Sequence, residues 1–147
     1  MERIYHKIIP SVYLFLTKGN KILLQRRFNT GYEDGKYGIV SGHKEENETF
    51  KEALLREAKE ESGIILDLKD LEVVHTMFRK IPKDERIDVF IKAKKWRGII
   101  KNMELERCDD LRWFKINSLP KNMIYYVEVA IENIQNKIFY SEYSFLK

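Results

Sequence analysis

The chain has 147 residues, 44% of them hydrophobic and 34% charged, with seven Gly, three Pro and one Cys. A domain of this length folds on its own core without disulfide or metal staples, and the balance excludes a collagen-like, low-complexity or wholly disordered polypeptide. Twenty-seven Lys and Arg against 23 Asp and Glu leave a net charge of +4, a mild excess spread along the chain that reads as a solvated surface and does not by itself identify an anionic partner.

In chain order, Met1-Glu2-Arg3-Ile4-Tyr5-His6-Lys7 lacks the apolar stretch and small-residue cleavage site of a secretory leader. Lys7 to Thr17 is rich in Ile, Val, Tyr and Phe. Its apolar part is about half the roughly 20 residues that a membrane span needs. It predicts a strand, and Lys18-Gly19-Asn20 predicts a turn into a second strand, Lys21 to Arg27, closing a hairpin. Asn29-Thr30-Gly31-Tyr32-Glu33-Asp34-Gly35 is a turn-rich loop, followed by a short apolar stretch at Tyr37 to Val40. A helix is expected over Thr49 to Ser62. Leu71 to Arg79 and Arg86 to Ala93 predict a second hairpin around Lys80-Ile81-Pro82-Lys83-Asp84-Glu85. Cys108 has no intramolecular partner and no His or Asp pattern of a nucleophile about it, so a reducing cytoplasm is expected. Leu111 to Phe114 predicts a further strand. Val127, Ala130, Ile131 and Ile134 fall at i, i+3, i+4 and i+7, predicting a closing helix over Ile124 to Lys137. No repeat or linker divides residues 1–147, so one α/β domain is expected, with a mixed sheet flanked by helices.

The helix at Thr49 to Ser62 carries the chemistry. Thr49 with Glu52 forms a capping box, Gly63 sits where a left-handed residue ends a helix, and Phe50, Leu54 and Ala58 supply a buried stripe. Beside that stripe stand Glu57, Glu60 and Glu61, at i, i+3 and i+4. Like charges at these spacings repel by a few tenths of a kcal/mol, and an anion in the last turn opposes the helix dipole at a cost of about 0.3–1 kcal/mol. A hard divalent cation such as Mg²⁺, which prefers oxygen ligands, reverses the sign of that arrangement. An acidic, solvated helix face is the plain alternative.

The flanking residues decide between them. Gly42, Glu48, Arg56, Glu57, Glu60, Glu61 and Gly63, with Ala58 and Ile64 at the aliphatic positions, match G-x5-E-x7-R-E-U-x-E-E-x-G-U, the signature of the Nudix hydrolases. At ordinary residue frequencies the seven fixed matches arise by chance about once in a million chains of this length. The resemblance extends to Gln25-Arg26-Arg27, Trp96-Arg97-Gly98, and Leu111-Arg112-Trp113-Phe114 followed by Leu119-Pro120. The loop Asn29 to Gly35 is similar to a bacterial subgroup with N-T-G-Y-x-D-G.

The resemblance implies an α/β/α sandwich that uses Mg²⁺, or Mn²⁺ in its place, to hydrolyse a nucleoside diphosphate linked to a further group. By position it implies Glu57, Glu60, Glu61 and the Gly42 carbonyl as metal ligands, Arg56 as the residue orienting the carboxylates, and Glu48 as a brace between loop and helix. Arg27 and Arg26 are candidates for phosphate contact. Tyr32, Phe78 and Trp96 are candidates for stacking on the base, against a default of buried core. His43 borders the box glycine, where phosphate contact competes with plain solvation.

Some relatives carry a further acid just after Trp-x-Gly, where this chain has Ile99 and Ile100. Glu104, Glu106, Glu60 and Glu61 therefore all stay open as the general base. The small size and paired arginines favour a nucleoside triphosphate, cleaved to monophosphate and pyrophosphate. The proline that marks ADP-ribose hydrolases is not evident, since Pro82 falls later, in a turn. A nucleotide-sugar or dinucleotide is the alternative substrate, and a non-catalytic sensor or nucleic-acid-binding module is the alternative class. Such modules usually lose box carboxylates, all of which are kept here. A small-molecule nucleotide, no membrane, no nucleic acid, and a monomer or homodimer are expected.

Overall fold

Val12 to Leu16 is apolar at every position, and all five side chains are buried. A strand buried on both faces belongs inside a sheet covered from both sides. That is where the computed structural model, which describes residues 1–144, places β1 (Ile9–Phe15). Its neighbours are β5 (Ser41–His43), antiparallel, and β7 (Glu85–Ala93), parallel. β6 (Leu71–Lys80) continues the sheet antiparallel to β7, and β9 (Tyr140–Ser144) ends it parallel to β6. The order is thus β5-β1-β7-β6-β9, a mixed sheet.

Alternation along β1 sends side chains to two cores. Val12, Leu14 and Leu16 pack with Ala53, Leu54 and Ala58 of helix α1 (Phe50–Ser62). Tyr13 and Phe15 pack with Val127, Ala130 and Ile131 of α2 (Tyr125–Gln135). The helices cover opposite faces of the sheet, giving an α/β/α sandwich.

The first expected hairpin is corrected. β1 does not pair with β3 (Lys21–Arg27); only the two-residue β2 (Thr17–Lys18) does. The chain leaves the large sheet at Leu16 because β1 is paired along its whole length by β7 on one side and by the short β5 on the other, positions that a hairpin with β3 would contest. β3 instead joins β8 (Cys108–Lys115) and β4 (Tyr37–Gly38) in a second, four-stranded sheet. One sheet was expected, and two are present. The second hairpin stands as expected, with Leu71 opposite Ala93 and Lys80 opposite Glu85.

β9 had no counterpart among the sequence expectations. Its residues are polar and exposed in part, and what holds it is remote in sequence. His75, buried in β6, reaches the Ile138 carbonyl at 2.7 Å and Ser141 Oγ at 2.7 Å.

Candidate active site

The local sequence at the start of α1 sets the direction of everything that follows. Thr49 Oγ accepts the Glu52 amide (3.1 Å) and the Glu52 carboxylate accepts the Thr49 amide (2.9 Å), so the capping box forms in full. Gly63 ends the helix in the left-handed region, at φ 73°. Between these stops, Arg56 turns back over the loop that precedes the helix. Its Nη2 donates to Glu48 (2.8 Å) and to the His43 carbonyl (3.1 Å), and its Nη1 donates to Glu57 (2.7 Å). Glu48 in turn accepts the Glu45 amide at 2.6 Å. One planar fork therefore ties loop, strand β5 and helix together, a task that Lys could not perform.

The carboxylates differ in setting. The Glu60 side chain is 53% exposed, and Glu57 only 13%. Glu61 is held by the Ser41 amide at 3.1 Å and the Gln25 amide at 3.4 Å. Burial, reinforced by the negative charges of Glu57 and Glu104, pushes Glu61 up to about 8. Burial also raises Glu57, against the pull of Arg56. Arg56, first, and the Glu45 amide hold Glu48 below the usual carboxylate range. The cluster is short of positive charge where Glu57, Glu61 and Glu104 meet.

Gly42 is explained by close approach. A Cβ there would lie 2.1 Å from the Glu57 carboxyl carbon, and its φ is not in the left-handed region, so only the missing side chain matters. Gly42→Ala is expected to displace Glu57 from Arg56 and to lower turnover by about 100-fold, the scale on which ångström-level misplacement acts. Melting temperature should change little. Wild-type kcat in the alanine variant would remove this role from the contact.

These residues line one cleft of about 470 Å³. It holds Gly42, Arg56, Glu57, Glu60, Glu61, Arg27 and Tyr32 of the sequence candidates, together with His43 and Glu104. Three candidates lie elsewhere. Trp96 packs into the α1-side core beside Trp113, with ring centroids 6.1 Å apart, because the Ile65–Arg97 bridge holds its turn against the segment after the helix. Phe78 is partly buried on β6, away from the cleft. Arg26 does not line this cleft and is committed to Asp109, which it pairs at 2.7 Å. Glu106 is also outside the cleft, unlike Glu104.

Sequence reasoning missed Gln25, Arg86, Arg107, Tyr13 and Tyr126, all of which line the cleft. Beneath it lies a pair that was also missed. Arg79 and Asp88 are both fully buried and ion-paired to each other. The guanidinium stacks on the Tyr126 ring (3.7 Å) and donates to the Tyr13 hydroxyl (3.4 Å). An Arg and an Asp nine residues apart on predicted strands gave no signal, because only the β6–β7 register makes them neighbours.

The donor set suits a hard divalent ion: carboxylate oxygens, a backbone pressed against one of them, and an excess of negative charge. Among the described residues no three acidic, His or Cys side chains are already gathered as a closed cage. An open arrangement is what an ion that keeps waters or phosphate oxygens in its shell requires. The charge has a consequence for stability without metal. Glu61 is raised above the ordinary 4.5, so its contribution is present below that value and is lost as pH climbs through about 8. Added Mg²⁺ should therefore raise the melting temperature more at pH 9 than at pH 6. An equal or smaller shift at pH 9 would contradict the arrangement.

Fold and site together define a Nudix protein, and the chain belongs to that family: the NUDIX domain model matches residues 7–131. The chain is 33% identical over 122 residues to an ADP-ribose pyrophosphatase of Methanocaldococcus jannaschii, covering 81% of this chain and 69% of that protein. It is 28% identical over 120 residues to the NAD-capped RNA hydrolase NudC of Pseudomonas entomophila, covering 80% of this chain and 40% of NudC. Among solved structures, a MutT NUDIX hydrolase from Burkholderia pseudomallei shares the fold with a TM-score of 0.79 at 22% identity, over 86% of this chain and 98% of that one. Among the described residues no helix is long and apolar enough to cross a membrane.

Proposed function

We propose that the chain is a divalent-metal-dependent pyrophosphohydrolase acting on a nucleoside diphosphate linked to a further group, foremost a nucleoside triphosphate cleaved to monophosphate and pyrophosphate. The observation that carries this reading is the convergence of Glu57, Glu61 and Glu104 in one open cleft, with Glu61 forced up to about 8 by burial and by its negative neighbours. Glu57 alone of the three has an ion-pair partner among the described residues, Arg56 at 2.7 Å, while Glu61 sits beside the negative charges of Glu57 and Glu104.

Glu57, Glu60, Glu61 and the Gly42 carbonyl would hold Mg²⁺, with Mn²⁺ as a substitute. The ion supplies charge neutralisation on the phosphates and a more acidic bound water. Arg56 orients Glu57 and favours its anionic form against the effect of burial. Glu104 is the general base we favour, because it lies in the cleft and Glu106 does not. Arg27 contacts phosphate oxygens, and Tyr32, whose hydroxyl is 3.4 Å from that of Tyr126, borders the space for the base.

A second reading, a dinucleotide or ADP-ribose-like substrate, is supported by two of the relatives, one named an ADP-ribose pyrophosphatase and the other an NAD-capped RNA hydrolase. Retention of every box residue speaks against a non-catalytic module. The test is turnover by the purified protein with Mg²⁺ on a panel of nucleoside triphosphates, ADP-ribose, NADH and a UDP-sugar, read as released phosphate species. Hydrolysis of a phosphoric anhydride in any of them supports the reading. No turnover on the whole panel, with saturable binding of RNA, would replace it by the binding module.

A further inference from the structure

The loop of residues 98–107, between β7 and β8, brings Glu104 to the cleft, and burial does little to hold it there. Of its apolar side chains only Ile100 packs on the α1-side core, while Ile99, Met103 and Leu105 are 88%, 54% and 74% exposed. Hydrogen bonds do the holding. The Lys101 amide donates to the Ser62 carbonyl at 3.0 Å, and the Met103 amide to the Glu61 carbonyl at 3.1 Å. Carbonyls of the last helical turn have no partner inside the helix, so the loop supplies one. That turn also carries Glu60 and Glu61, which sets one side of the loop relative to the carboxylates themselves.

The other side rests on Asn102, which is half-buried. Its Oδ1 accepts the Glu104 amide at 3.0 Å, and its Nδ2 donates to the Cys108 carbonyl at 2.7 Å. Cys108 begins β8 and pairs with Arg27 of β3, so the second bond ties the loop to a strand already fixed in a sheet. The Glu104 carbonyl accepts the amides of Arg107 (2.9 Å) and Cys108 (2.8 Å). Glu104 is thus gripped at both ends of its backbone, and the grip on its amide is a side chain. No other side chain of residues 98–107 makes a hydrogen bond or an ion pair among the described residues. The residue type follows from the two contacts. One needs an acceptor facing an N–H and the other a donor facing a C=O, which a primary amide supplies and a carboxylate does not. An aspartate would lose the bond to Cys108 and set a further negative charge next to Glu104.

We propose that Asn102 is a positioning residue of the reaction, acting by fixing where Glu104 stands relative to Glu57 and Glu61. Asn102 itself lies outside the cleft. A general base works only within about 2.6–3.2 Å of the proton it takes, so a loop released by an ångström carries it out of reach. The proposal rests on the hydrolase reading of the cleft and on Glu104 as its base.

The test combines steady-state kinetics with amide exchange. Asn102→Ala is expected to lower kcat by about 10–100-fold while KM moves by less than about threefold. Asn102→Ser, which keeps an oxygen for the Glu104 amide, should recover part of the loss. In a Glu104→Gln background, Asn102→Ala should change kcat by less than about twofold, because an effect carried through Glu104 cannot be lost twice. Losses that multiply in the double variant, or wild-type kcat in Asn102→Ala, would overturn the proposal. Amide exchange reads the same contact without turnover. Asn102→Ala should speed exchange of the Glu104 amide by about tenfold or more and leave the Met103 amide, held by the helix, near its wild-type rate. An unchanged Glu104 amide would also overturn it. Wild-type protein that protects this amide through Asn102 yet turns over nothing on the substrate panel would sink the hydrolase reading and reduce Asn102 to a structural clamp.

Discussion

Glu61→Gln is expected to lower turnover by about 1,000-fold or more, corresponding to roughly 4 kcal/mol of barrier, while the protein stays as stable or becomes more so. The two halves of this expectation have one cause. In the absence of metal the Glu61 carboxylate sits beside Glu57 and Glu104, and burial and those charges push it up to about 8. Its ionised form is therefore disfavoured in the folded chain and costs stability increasingly as pH rises from the ordinary carboxylate range through 8. Glutamine has the same shape, keeps an oxygen for the Ser41 amide, and carries no charge at any pH. Its stabilising effect should grow with pH over that window and then level off. Melting curves from pH 5 to pH 9 measure the stability half, and steady-state kinetics with Mg²⁺ the other. A large fall in melting temperature with activity retained would make Glu61 a structural residue and remove the basis of the proposed mechanism.

Arg79→Met is expected to destabilise the fold by about 3–5 kcal/mol, the cost of leaving a buried charge without its partner. In a chain of this size that lowers the melting temperature by roughly 10 °C. Asp88 would be stranded, fully buried, between β1 and β6. Burial already raises it toward its neutral form even with Arg79 in place. Replacing both partners, as Arg79→Met with Asp88→Val, should recover most of the loss, because an apolar pair of similar size pays no charge desolvation. Arg79 also carries one cost of its own, since its Nη1 has no hydrogen-bond partner among the described residues. A single variant as stable as wild type, or a double variant no better than the single, would show that the pair is not what organises Tyr13 and Tyr126 beneath the cleft.

The legible parts of this molecule are those written in contiguous residues. Helix α1, its capping box, its left-handed stop at Gly63 and the fork from Arg56 to Glu48 and Glu57 all occupy one segment, where spacing translates directly into geometry. The β6–β7 hairpin is local in the same sense. The first hairpin failed because local turn chemistry at Lys18-Gly19-Asn20 competes with a longer-range demand, the burial of both faces of β1. Trp96 failed as a base-stacking candidate because nothing in a sequence says which side of a turn faces a cleft. Arg26 and Arg27 are adjacent and chemically identical, yet one is ion-paired to Asp109 while the other lines the cleft and donates to the Tyr32 carbonyl.

By itself, then, the sequence determined the family, the α/β class and the carboxylate helix, because periodicity, caps and a fixed motif act over a few turns of chain. The tertiary structure alone decided the division into two sheets, the choice of Glu104 over Glu106 for the cleft, the buried Arg79–Asp88 pair and the arrival of both Arg27 and Arg107 at the cleft. Each of these depends on how segments pair and pack in the whole fold, which follows from the total burial of the folded chain and which no local pattern of residue types encodes.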